Sequence, residues 1–134
     1  MIDLNHPWLH FFRASICSNG LLYFDEKVQS FFEKFNPFVS FAISIDGNEQ
    51  LHDSCRLDLN GNPTYKKAMA AVKHYNEHFS HGIPMPTKMT LAPSNIIYMY
   101  DAVINLVNEG YEEINLNCIF ENGWNETHAK IMYE

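Results

Sequence analysis

Four kinds of side chain that bind or move charge sit close together in the stretch SIDGNEQLHDSCR: a hydroxyl at Ser44, carboxylates at Asp46 and Asp53, an imidazole at His52 and a guanidinium at Arg56. Hydroxyl and guanidinium groups suit a ribose and a carboxylate, and the planar fork of Arg grips a carboxylate bidentately where Lys offers a point charge. His52 and Asp53 have the types of an acid–base pair, yet an Asp in a polar loop more often caps or turns the backbone. A second polar turn, Ser18-Asn19-Gly20, lies upstream. His74, His78 and His81 recur at i, i+4 and i+7, which lines three imidazoles along one helical stripe as in a metal site. No carboxylate or cysteine stands at a matching offset, so a solvated helix face is the favoured reading and a metal-dependent hydrolase the remote one. Cys17, Cys55 and Cys118 are widely spaced, form no CxxC pair or disulfide framework, and read as reduced thiols.

The elements that must position these groups start with a central strand. Phe38 to Ile45 is a near-continuous apolar run, the pattern of a strand buried in a parallel sheet. Its parities differ: Phe41, Ile43 and Ile45 fall on one side, Ser40, Ala42, Ser44 and Asp46 on the other. Asp46-Gly47 turns the chain, and Asn48 to Arg56 is expected as a loop at the strand's carboxyl end, where open α/β folds and β/α barrels place their chemistry. A hairpin turn is the bland alternative, but no second strand follows at hairpin distance.

Upstream, residues 1 to 12 are aromatic-rich, broken by Pro7, and without periodicity. Arg13 to Ser18 predicts a strand with Arg13, Ser15 and Cys17 on one face. Asp25 caps a helix carrying Val28, Phe31, Phe32 and Phe35, which Asn36-Pro37 stops. Downstream of Gly61-Asn62-Pro63-Thr64, a second helix buries Tyr65, Ala68, Met69, Val72 and Phe79. A strand follows over Thr87 to Leu91, with Lys88 and Thr90 opposite Met89 and Leu91. A third helix from about Ser94 to Glu109 buries Ile96, Met99, Tyr100, Val103, Ile104 and Val107, and Gly110 closes it. Glu113 to Phe120 alternates as a fourth strand, and a last helix begins after Asn125.

Strands alternating with helices predict right-handed crossovers and a parallel sheet. Every strand sets Ser, Thr, Asn, Lys or Arg on one parity and apolar residues on the other. A barrel packed to its axis has a bulky, branched interior. The expectation is therefore an α/β fold, part of an open (β/α)6 partial TIM-like barrel of about four parallel strands, whose polar parity faces a wide lumen.

The chain has 134 residues, enough for one domain, with 46% hydrophobic and 14% aromatic residues. A formal charge of −7 and scattered basic residues argue against nucleic acid or an anionic membrane as partner. No apolar run reaches membrane-spanning length, and the first residues lack the pattern of a signal peptide, so a cytoplasmic location is expected.

Taken in order, Ser18-Asn19-Gly20, Ser44-Ile45-Asp46-Gly47, His52-Asp53 with Arg56, then Gly61 and Tyr65 resemble the third-to-fourth-strand region of radical S-adenosylmethionine (radical SAM) enzymes, above all the peptide-modifying maturases that include the anaerobic sulfatase maturases. The resemblance runs from about residue 13 to 125, more weakly past Thr90. It implies S-adenosylmethionine and a [4Fe-4S] cluster in the parent protein, a peptide or protein substrate, and a 5′-deoxyadenosyl radical that abstracts hydrogen from a side chain. Ser44 would touch the cofactor's ribose or carboxylate, Arg56 its carboxylate or the substrate, and Asn19 and Asp46 would lie at the cofactor beside them. The CxxxCxxC loop that ligates the cluster and the Gly-Gly-Glu motif after the second strand are absent from these residues. The chain is thus expected to be an internal fragment of a radical SAM core, third to sixth strand, inactive alone and able to self-associate through bare sheet edges. The alternative is a cluster-free half-barrel that binds a nucleotide or peptide.

Overall fold

The computed structural model describes residues 7–120 and 123–133. Residues 1–6 of the aromatic opening and residues 121–122 lie outside them; the remainder of the opening holds a 3-10 turn over Pro7–His10. Four parallel strands, β1 (Ala14–Ser18), β2 (Val39–Ser44), β3 (Thr87–Leu91) and β4 (Ile114–Cys118), form one sheet in the order β1-β2-β3-β4. Helix α1 (Glu26–Phe35) crosses from β1 to β2, α2 (Glu49–Cys55) and α3 (Tyr65–His78) from β2 to β3, and α4 (Met99–Asn108) from β3 to β4. Helix α5 (Glu126–Tyr133) follows. The open α/β half-barrel expected from the alternating pattern is present. Among the described residues, no helix is long and apolar enough to cross a membrane.

Register fixes the two faces of the sheet. Ser15 pairs with Ser40, Cys17 with Ala42, Ser44 with Lys88, Lys88 with Asn115 and Thr90 with Asn117. Neighbours in register point the same way, so these residues form one polar face, as their alternation in sequence dictates. The other face meets the helices. Ile43, Ile45, Met89 and Leu91 are buried there against Ala68 and Ala71 of α3 and Leu106 of α4. Each such aliphatic side chain contributes about 1.5–3 kcal/mol on burial. The alanines of α3 carry little volume, which lets that helix lie close to the strands. Beside them Phe32, Phe41, Tyr75 and Phe79 pack ring against ring, with Phe32 and Phe41 centroids 4.7 Å apart.

Two expectations are corrected. Asn48 to Arg56 is mostly helix rather than loop: Asn48 caps α2, its Oδ1 accepting from the Leu51 N–H at 2.9 Å. A helix of this length carries only Leu51 and Cys55 on one stripe, too few to show a period. In the third helix, Tyr100, Ile104 and Val107 face outward, Tyr100 being 73% exposed, whereas Ala102 and Leu106 are buried. The first turn, Ile96–Tyr98, is 3-10, with three residues per turn, and this shifts the phase of every later position relative to a continuous α-helix.

Candidate functional site

The carboxyl end of β2 runs directly into a buried polar cluster. Asp46 is 2% exposed and uses both carboxylate oxygens. Oδ2 pairs with Arg56 Nε, and Oδ1 accepts from Arg56 Nη2 at 3.2 Å and from the Thr90 backbone N–H at 2.8 Å. Arg56 Nη2 also donates to Thr90 Oγ1 at 3.3 Å. The ion pair therefore ties the end of β2 to α2 and to the lumen face of β3. Cys55 adds a long Sγ contact to Asp46 Oδ2 at 3.6 Å, and burial, followed by the charge of Asp46, pushes its thiol pKa up. That thiol is held as a neutral donor rather than a nucleophile.

His52 sits on the other side of the turn, 1% exposed. Its Nδ1 accepts from the Asp46 N–H at 3.2 Å, and its Nε2 faces Thr64 Oγ1 at 3.1 Å. Thr64 donates its own hydroxyl proton to the Arg56 carbonyl at 2.6 Å, so it accepts from His52, and the imidazole is the neutral Nε2–H tautomer. Asp53 accepts from the Thr64 and Tyr65 N–H groups at 2.8 and 2.9 Å, capping α3 from eleven residues upstream. Thr64 itself provides no side-chain cap, so Asp53→Ala should destabilise the chain by about 1–2 kcal/mol in chemical denaturation. His52 and Asp53 thus brace the turn and the helix start; they do not form an acid–base pair with each other.

Burial lowers the His52 pKa from its ordinary 6.5, outweighing the pull of Asp46. The folded state then binds this proton less readily than the unfolded chain does. The stability that His52 contributes is complete above pH 6.5 and is lost as pH falls toward and through the depressed folded value. Denaturation midpoints measured down through this range should drop, and His52→Asn should flatten that slope.

Ser44 is half-buried on the polar face, its Oγ 3.5 Å from Cys17 Sγ across to β1 and its backbone in register with Lys88. Continuing the β1–β2 register by one residue sets Asn19 beside Ser44. Asn19 is exposed and its Oδ1 accepts from the Leu21 N–H at 3.1 Å, while the Gly20 N–H is held by Ser18 Oγ. Gly20 has φ +75°, so the turn favours glycine, and a Cβ there would also press on the Ile43 side chain at 3.1 Å. The sequence thus brings Ser44, Asn19, Asp46 and Arg56 to one end of the sheet. The capping reading of Asp53 is the one that holds, whereas the links of Thr90 and Thr64 to this cluster were not visible in the sequence, because their partners lie in distant segments with no local pattern to mark them.

The histidine stripe is dispersed among separate partners: His74 Nδ1 meets Tyr23 OH at 2.9 Å, His78 stacks on His74 at 4.0 Å, and His81 Nε2 lies 3.1 Å from Asn36 Nδ2. Among the described residues no three His, Cys, Asp or Glu side chains are grouped to hold a metal ion.

An open parallel half-barrel with a polar inner face, its Ser-Ile-Asp-Gly strand end locked onto the helix that carries His52 and Asp53, is the fold that the resemblance in sequence implied. The chain is 34% identical over 100 residues to the Sporulation killing factor maturation protein SkfB of Bacillus subtilis (strain 168), a match covering 75% of this chain and 22% of that protein. Its fold superposes on anSMEcpe with bound AdoMet and Cp18Cys peptide at a TM-score of 0.67 and 15% identity, over 84% of this chain and 31% of that one. The structure with Kp18Cys peptide gives 0.68, over 84% and 30%. No family model matches. The chain matches a segment of a radical SAM core domain, and it spans about a fifth of the length of the curated relative it matches.

Proposed function

We propose that this half-barrel contributes the S-adenosylmethionine-binding face of a radical SAM enzyme that modifies a peptide. The observation that carries the reading is the lumen mouth itself: the Ser44 hydroxyl, whose one side-chain contact is the weak one to Cys17 Sγ, Asn19 next to it in register, and a guanidinium over β3, all at the carboxyl end of the strands. The anSMEcpe structures with AdoMet and peptide, and the maturation role in the SkfB name, support both ligand classes.

The residues fit the cofactor and not the cluster. Arg56 spends Nε and Nη2 on Asp46 and Thr90, which leaves Nη1 for a carboxylate, and Asp46 acts on the cofactor only by aiming that fork. Ser44 is placed to exchange a hydrogen bond with a ribose hydroxyl or the carboxylate. When bound in such a core, the cofactor supplies a carbon radical that takes hydrogen from a peptide side chain. For the cluster this chain offers no thiolate set, since Cys17, Cys55 and Cys118 lie on separate elements and Cys55 is engaged with Asp46.

Calorimetric titration with S-adenosylmethionine tests the site. Ser44→Ala should weaken binding by about 0.5–1.5 kcal/mol, the net worth of one neutral hydrogen bond. Unchanged affinity would make Ser44 a packing residue only. An in-frame CxxxCxxC and Gly-Gly-Glu encoded upstream of Met1 would place the stretch in a complete enzyme; a full coding sequence without them would favour the cluster-free binding module.

A further inference from the structure

A separate cavity of about 470 Å³ opens at the opposite, amino-terminal end of the strands, within the size range of small-molecule sites. Its walls include the rings of Phe41, Tyr75 and Phe79, with Met85 two residues before β3. Its polar lining includes Arg13, His81 and Ser40, and among the described residues no carboxylate lines it, although the whole chain carries −7. His81 is the one described non-glycine residue with positive φ, at +50°. Such a conformation is held against its own cost by its surroundings. Here the holder is Asn36, 8% exposed: its Oδ1 accepts from Tyr75 OH at 3.0 Å, and its Nδ2 donates to the Phe79 carbonyl at 2.6 Å and to His81 Nε2 at 3.1 Å. With Nε2 accepting, His81 keeps Nδ1–H as a donor with no described partner. Arg13 spends one N–H on the Phe12 carbonyl at 3.1 Å and retains the rest.

We infer that this cavity binds an apolar carboxylate, its aryl or alkyl body against Phe41, Tyr75 and Phe79 and its anion between Arg13 and His81. The aromatic wall supplies apolar area, and two donors without a competing acid select the anion over its neutral or cationic counterpart. The carboxylate belongs to a free small molecule or to the C-terminus of a peptide, since both present the same chemistry. The site is independent of the cofactor mouth, because its lining and that of the mouth share no residue.

The test is calorimetric titration of the chain with 3-phenylpropionate, 3-phenylpropionamide and phenethylamine, and with a short Phe-ending peptide as free acid and as amide. The carboxylate should bind saturably, the amide at least about tenfold more weakly, and the amine not at all. Tighter binding of the free-acid peptide than of 3-phenylpropionate would assign the site to chain termini, and the reverse order to small molecules. Arg13→Gln should weaken the carboxylate about tenfold and Arg13→Lys much less, since Arg13 is exposed and its replacement leaves the core intact. Equal affinity for acid and amide, an unaltered affinity in Arg13→Gln, or no saturable binding by any probe would overturn the inference.

Discussion

Gly47→Ala should cost the chain about 3 kcal/mol or more, and with it the alignment of the cofactor mouth. Gly47 is buried with φ +81°, a left-handed conformation that costs an alanine about 1–2 kcal/mol. The added Cβ would also lie 2.5 Å from Ala102 Cβ and 2.9 Å from Ala102 Cα on α4. Backbone cannot yield as a flexible side chain does, and overpacking of this kind adds about 1–3 kcal/mol. Urea denaturation measures the sum. Ala102→Gly in the same chain removes the Cβ–Cβ collision but not the contact with the helix backbone, so it should restore only part of the loss. A cost under about 1 kcal/mol would mean that α4 is not seated on this turn.

Asp46→Ala should be comparably damaging, by about 3 kcal/mol, toward the low end for breaking a buried ion pair because the Arg56 side chain is 27% exposed. Four donors lose an acceptor together: Arg56 Nε, Arg56 Nη2, the Thr90 N–H and, at longer range, the Cys55 thiol. Asp46→Asn keeps one oxygen for Thr90 and should cost less. The pairing itself is read from a double-mutant cycle with Arg56→Met, in which the second substitution should do less harm in the Asp46→Ala background than alone. Strictly additive losses would show that the carboxylate and the guanidinium act separately.

Both substitutions fall in a motif whose residue types point to ligand binding and whose atoms are largely committed to one another. The two faces of the sheet were legible because a strand alternates with period two and each of the four obeyed it; Ser40, Ala42 and Ser44 cannot leave the polar face without moving Phe41 and Ile43 off the helices. The cap of α1 was legible too, since Asp25 accepts from the Lys27 N–H only two residues away. Helix α2 was hidden by its shortness, and the buried side of α4 by a 3-10 turn that sequence spacing does not announce. Arg56 could be assigned to the mouth from its place after β2. That Asp46 would claim most of its fork could not, because Asp46 reads equally well as a turn residue before Gly47.

The strand order β1-β2-β3-β4 also governs how the molecule is made. Every strand lies beside the one synthesised just before it, so no strand must wait for a later segment to be inserted between itself and its neighbour. Each helix-containing crossover therefore returns the chain to the edge of the strand before it, and the loop to be closed for each pairing is that one crossover. The sheet grows by accretion in one direction. An interruption of synthesis within α4 would leave β1, β2 and β3 paired as they are in the longer chain, whereas loss of β2 would separate β1 from everything downstream. In this fold the order of the strands along the chain and their order across the sheet are the same.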